Sequence, residues 1–132
     1  MKKRIKITGL VLTLFLFVLF SLINSAHADY LDNWNVRNSG TTHDLYSVCY
    51  GNNKFLAVGD AYRILTSTDG QTWTAQSPPS SATYWGVTYG NGLFVAVGQW
   101  GTILTSPDGE TWTQQTSGTS NLLYSVTYGG GL

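Results

Sequence analysis

The sequence has one cysteine, one methionine, three prolines and few charges. Charged residues make up 11%, about half the quarter usual in a soluble domain. So little charge excludes a long charged helix or coiled coil, which would be rich in Ala, Glu, Lys and Leu. A disordered tail is also disfavoured: 14% of residues are aromatic, whereas disordered segments are charged and poor in aromatics. Seven Lys and Arg against seven Asp and Glu leave no basic excess. That argues against nucleic-acid binding, which needs cations to neutralise phosphates. Cys49 is alone, so no internal disulfide can form and stability must come from packing. It reads as a half-buried strand residue rather than a reactive thiol. A metal–thiolate site needs several Cys or His close together, and beyond residue 28 there are only His43 and Cys49. No metal and no cofactor is expected. The length, 132 residues, allows one domain at most.

The balanced charge is an average of two unlike segments. Lys2, Lys3, Arg4 and Lys6 form a basic start. Residues 7–23 are almost wholly apolar, and Ala26-His27-Ala28 follows before Asp29. A basic start, an apolar run and a small-residue A-x-A site, in that order, predict a cleaved secretory signal over residues 1–28. The apolar run is at the short end for spanning a bilayer, which leaves an uncleaved anchor as the alternative. The protein is therefore expected to be exported, periplasmic or extracellular, without membrane contact after cleavage. Beyond the signal, Arg37, Lys54 and Arg63 stand against seven acidic residues, for a net charge of −4.

The remainder is a repeat. Residues 46–73 and 85–112 align at an offset of 39 without a gap, and 16 of 28 positions match. Trp34 lies 39 residues before Trp73, so residues 33–36 read as the tail of an earlier copy. Residues 124–129 lie 39 beyond the start of the second copy. The organisation is thus a leader at 29–45, repeats at 46–84 and 85–123, and the head of a third at 124–132. Each repeat predicts four short strands. In the first they are Tyr46–Tyr50, with period-two alternation, Phe55–Val58, Arg63–Ser67 and Thr72–Gln76. The turns are Gly51–Lys54 and Thr68-Asp69-Gly70, the latter carrying the Asp-Gly hairpin signal. Counting the flanking pieces gives ten strands. No stretch beyond the leader carries a helical pattern. Four strands in about 40 residues is the arithmetic of a β-propeller blade.

Ser67-Thr68-Asp69-Gly70-Gln71-Thr72-Trp73 and Ser106-Pro107-Asp108-Gly109-Glu110-Thr111-Trp112 share S-x-D-G-x-T-W. Asp69 and Asp108 can accept hydrogen bonds from backbone N–H groups of their own turns. Gly70 and Gly109 allow positive φ. Trp73 and Trp112 bury large apolar surfaces on the next strand. Ser67, Thr72, Ser106 and Thr111 complete the motif. These residues are read as structural rather than catalytic.

The motif resembles the Asp-box, or bacterial neuraminidase repeat, one residue shorter than its commonest S-x-D-x-G-x-T-W form. The whole repeat is similar to those of secreted bacterial propellers related to the photosystem II stability and assembly factor. The resemblance covers residues 33–132. It implies an all-β chain of the sialidase-superfamily kind: a partial β-propeller of about 2.5 four-stranded blades, part of something larger. It does not imply a reaction. Sialidases grip a substrate carboxylate with several arginines, and beyond the leader there are only Arg37 and Arg63. Glycoside hydrolysis uses two carboxylates flanking the bond. With Asp69 and Asp108 in turns, Asp44, Asp60 and Glu110 remain, in no recognisable arrangement. No catalytic residue is assigned, and the chain is not expected to be an enzyme.

Binding is the favoured reading: a non-catalytic scaffold for a protein or carbohydrate ligand. Loops that differ between copies can specialise. Asp60-Ala61-Tyr62-Arg63 aligns with Gln99-Trp100-Gly101-Thr102. Tyr62, Arg63, Trp85 and Trp100 are the candidate ligand-binding residues. Packing between blades is the more ordinary use of such aromatics. Two alternatives stand beside the scaffold reading: the N-terminal part of an Asp-box glycoside hydrolase, and a lectin-like homo-oligomer if the chain is complete. A closed propeller needs at least four blades. Truncation of a longer chain, assembly of several copies and a degraded remnant are the three accounts of the repeat number, with truncation favoured.

Overall fold

A computed structural model describes residues 36–130. The expected signal at 1–28 and the expected strand at 33–35 lie outside these residues. From Arg37 onward the chain is one compact unit. It is all-β, with eight strands in two antiparallel four-stranded sheets. The first contains β1 (Leu45–Gly51), β2 (Lys54–Gly59), β3 (Ile64–Ser67) and β4 (Thr74–Ala75). The second contains β5 (Tyr84–Gly90), β6 (Leu93–Gly98), β7 (Ile103–Ser106) and β8 (Thr113–Gln115). Each sheet runs in chain order. One 3-10 turn, Gln99–Gly101, is the helical content among the described residues.

Local chemistry sets the strand ends. The β1–β2 hairpin closes through Asn52 and Asn53, at φ 47° and 58°, with Gly51 paired to Lys54. Asn tolerates this left-handed conformation, which a two-residue turn matching the sheet twist requires. β3 starts one residue later than the sequence predicts, because the Arg63 N–H closes the preceding turn onto Asp60 O at 3.0 Å. β4 is shorter than the expected Thr72–Gln76, because the Thr72 N–H is already taken by the Asp69 carboxylate at 2.8 Å. Residues 122–130 were expected to contain a strand. They lie against β5 but pair with no strand among the described residues.

The two sheets share one core. Leu56, Val58 and Ile64 of the first pack with Tyr84, Val87, Phe94, Ala96, Leu104 and Trp112 of the second. Burying each such large side chain is worth about 1.5–3 kcal/mol. Cys49 packs at the margin of this cluster, and burial pushes its thiol up to about 11. Packing is closest where the Tyr89 ring lies over Gly51, because a Cβ on Gly51 would overlap that ring. Polar contacts tie the rims: Lys54 Nζ donates to Asp108 O and Glu110 Oε1, both at 2.8 Å.

The side of the second sheet facing the first is therefore covered, while the matching side of the first sheet is open. Val87 is 6% exposed, whereas Val48, 39 residues earlier, is 61% exposed. The tilted Tyr89–Phe94 ring pair, at 4.6 Å, repeats Tyr50–Phe55 at 4.8 Å.

Candidate binding site at the loop end

Leu45 pairs with Gly59, and Tyr84 with Gly98. These pairs bring the starts of β1 and β5 to the same end of each sheet as loops 60–63 and 99–102. The Asp turns occupy the opposite end. Both first strands break register here, between Leu45 and Ser47 and between Tyr84 and Gly86. The residues left over at these bulges are Tyr46 and Trp85, and a bulge re-aims the side chain it carries. Their rings stack at 4.5 Å and 27°. Tyr124 meets the other side of Trp85 at 5.9 Å and 49°. Three aromatics 39 residues apart thus form a ladder, and Trp85 is occupied by a neighbour on either side.

The loops hold the other candidates. Ala61 and Tyr62 have φ of 46° and 54°, and the turn closes with Gly59 N–H donating to Arg63 O at 3.0 Å. The second loop repeats this geometry with Trp100 at φ 56° and Gly101 at φ 68°. Side chains rarely adopt this conformation without a local polar partner, and such departures cost on the order of 1 kcal/mol or more. Trp100 nevertheless leaves its indole 65% exposed, and Tyr62 is 47% exposed. The Arg63 guanidinium carbon stands 5.6 Å from the Tyr62 ring centroid, within cation–π range.

Arg63 also borders a cavity of about 470 Å³, with Asn38, Thr41, Thr42, His43 and Leu65. Its Nε is a buried donor with no acceptor among the described residues, and so is Trp85 Nε1. The 38–43 segment belongs to the unrepeated leader. Comparison of the two copies could not single it out, because it has no second copy.

The structure uses several carboxylates elsewhere. Asp60 Oδ1 accepts from the Ala61 N–H at 2.7 Å and from Thr83 Oγ1 at 2.8 Å. The Thr83 hydroxyl, then the Ala61 amide, lowers its pKa, so Asp60 is a charged staple between the sheets. Glu110 is exposed and ion-paired to Lys54. In the Asp turns, Asp69 Oδ1 accepts from Gln71 N, Thr72 N and Ser67 Oγ, and Asp108 Oδ1 does the same with Glu110, Thr111 and Ser106. The Gly70 and Gly109 N–H groups donate to Ser67 and Ser106 Oγ at 2.8 Å. Trp112 is buried, with Nε1 donating to Gly109 O at 3.2 Å. Trp73 is half-buried, 6.5 Å from the Phe55 ring. Among the described residues no three His, Cys, Asp or Glu side chains gather as a metal site would require.

No known protein family matches the chain, and no curated protein matches it.

Proposed function

We propose that this chain is an exported, non-catalytic β-propeller repeat module that binds a protein or carbohydrate ligand at its loop end. The observation that carries this reading is Trp100, a large indole held in a left-handed turn and turned toward solvent. Strain kept at an exposed aromatic points to use rather than packing. Arg63 and Tyr62, on the equivalent loop of the preceding sheet, add a two-pronged donor and a second ring. Together they suit a sugar ring or an extended peptide: flat faces for stacking, donors for hydroxyls, carbonyls or a carboxylate.

The propeller reading rests on the repeated stacking of one four-stranded sheet on the next at a 39-residue step. The Asp-box resemblance supports it. Export rests on the basic start, apolar run and Ala-x-Ala site of the leader. The non-catalytic reading is supported by Asp60, Asp69 and Asp108, whose carboxylates are spent on turns and a sheet-to-sheet staple.

Arrayed oligosaccharides and immobilised peptides, probed with the full chain, test the proposal. A hit is then titrated by tryptophan fluorescence. Trp100→Ala is expected to weaken binding about tenfold or more, as truncating a central aromatic does, with the melting temperature unchanged. Full affinity in Trp100→Ala, or hydrolysis of an arrayed glycan, contradicts the reading.

A further inference from the structure

The outer side of the second sheet already holds a guest strand, residues 124–129, Tyr-Ser-Val-Thr-Tyr-Gly. Tyr124 stacks on Trp85. Ser125 crosses Gly86, where a Cβ would lie 3.0 Å from the Ser125 Cα. The Tyr128 ring covers Gly90, as Tyr89 covers Gly51. The Leu123 N–H donates to Gly98 O at 3.0 Å. No ladder pairing holds this segment among the described residues.

The chain carries a near-copy of that guest. β1 reads Tyr46-Ser47-Val48-Cys49-Tyr50-Gly51, differing from 124–129 only at Cys49 against Thr127. Its outward side chains are open: Tyr46 is 42% exposed, Val48 61% and Tyr50 59%. They border an apolar groove of about 370 Å³ that includes Ala57 and Trp73. The equivalent residues of the second sheet, Val87, Ala96 and Trp112, are buried against the first sheet.

We infer that β1 of a second copy of this chain docks on the outer side of the second sheet, displacing residues 122–130, so that copies join head to tail. The occupant is fixed by the contacts it would repeat. Within one chain, Tyr89 sits over Gly51, Thr83 Oγ1 donates to Asp60, and Asn52 Nδ2 donates to Pro107 O. Shifted by one repeat, the junction between copies sets Tyr50 over Gly90, Asp44 against Gln99, and Asn91 against the backbone of Thr68. The hydroxyl-to-carboxylate pair becomes amide to carboxylate with donor and acceptor exchanged. Lys54–Glu110 becomes Leu93–Gln71. No like charges meet, which complementary interfaces require. Such a heterologous contact closes into a ring if its rotation allows and otherwise extends.

The inference does not depend on Trp100 or on any ligand. Sedimentation of the full chain across a concentration series, in a mild detergent that keeps the apolar leader dispersed, tests it. The chain is expected to associate in proportion to concentration. Tyr128→Ala, which loosens the guest strand, strengthens association about fivefold. Val48→Asp, on an open surface that costs the fold little, weakens it about tenfold or more by placing a carboxylate in the groove. The double variant associates as weakly as Val48→Asp, and Trp100→Ala associates as the unmodified chain does. A chain that stays monomeric with Tyr128→Ala overturns the inference. So does association that survives Val48→Asp, or a Tyr128→Ala gain that persists in the double variant.

Discussion

A single carboxylate oxygen organises each Asp turn. Asp69 Oδ1 gathers two backbone N–H groups and a hydroxyl. The Thr72 amide first, then the Gln71 amide and the Ser67 hydroxyl, lower its pKa from the ordinary 3.8 to about 2. Asp108 is depressed for the same reasons, the Thr111 amide foremost. A group depressed on folding binds its proton less readily in the folded chain than in the unfolded one. Its contribution is therefore complete above about pH 4 and is lost as pH falls through about 2. The melting temperature of the full chain is expected to drop across that window. In Asp69→Asn/Asp108→Asn, which keeps an acceptor oxygen but no titrating group, the drop is smaller. An identical drop in the double variant contradicts the assignment.

At the scale of the element, the two Asp turns share one internal design but differ in what lies beneath them. A Cβ on Gly70 would sit 3.6 Å from Phe55, an ordinary contact, whereas on Gly109 it would sit 3.0 Å from Leu56 of the other sheet. Both glycines have positive φ, 68° and 77°, so Ala at either strains the backbone by about 1–2 kcal/mol. Gly109→Ala adds a packing cost of about 1 kcal/mol or more. Urea midpoints should place Gly109→Ala clearly below Gly70→Ala; equal midpoints contradict the difference in environment. The turns were legible in the sequence because Ser, Asp and Gly act on their own neighbours within a few residues. The four-strand order of each repeat was legible because turn chemistry and alternation recur at 39 residues. Three features were not. The Lys54–Glu110 pair and the Asp60–Thr83 staple join residues 56 and 23 apart, and their partners do not repeat in kind. The cavity beside Arg63 is lined from the unrepeated leader. Strand ends shifted where a side chain or turn claimed an N–H that the ladder would have used.

At the scale of the molecule, one repeat laid on the next explains why one side of each sheet is apolar and why glycines fall where neighbouring rings arrive. The core spans both sheets, so neither is expected to be stable alone. Stacking of one repeat on the next is the central claim, and the double-mutant cycle between Gly51 and Tyr89 tests it most directly. Gly51 carries no left-handed φ, so a methyl there probes only the space beneath the Tyr89 ring. Gly51→Ala is expected to cost about 1–3 kcal/mol, as overpacking does. With Tyr89→Ala already in place, that cost falls by about 1 kcal/mol or more, a coupling of the size contacting residues show. Strictly additive effects, with the cost of Gly51→Ala unchanged in the Tyr89→Ala background, would contradict the stacking of the second sheet on the first.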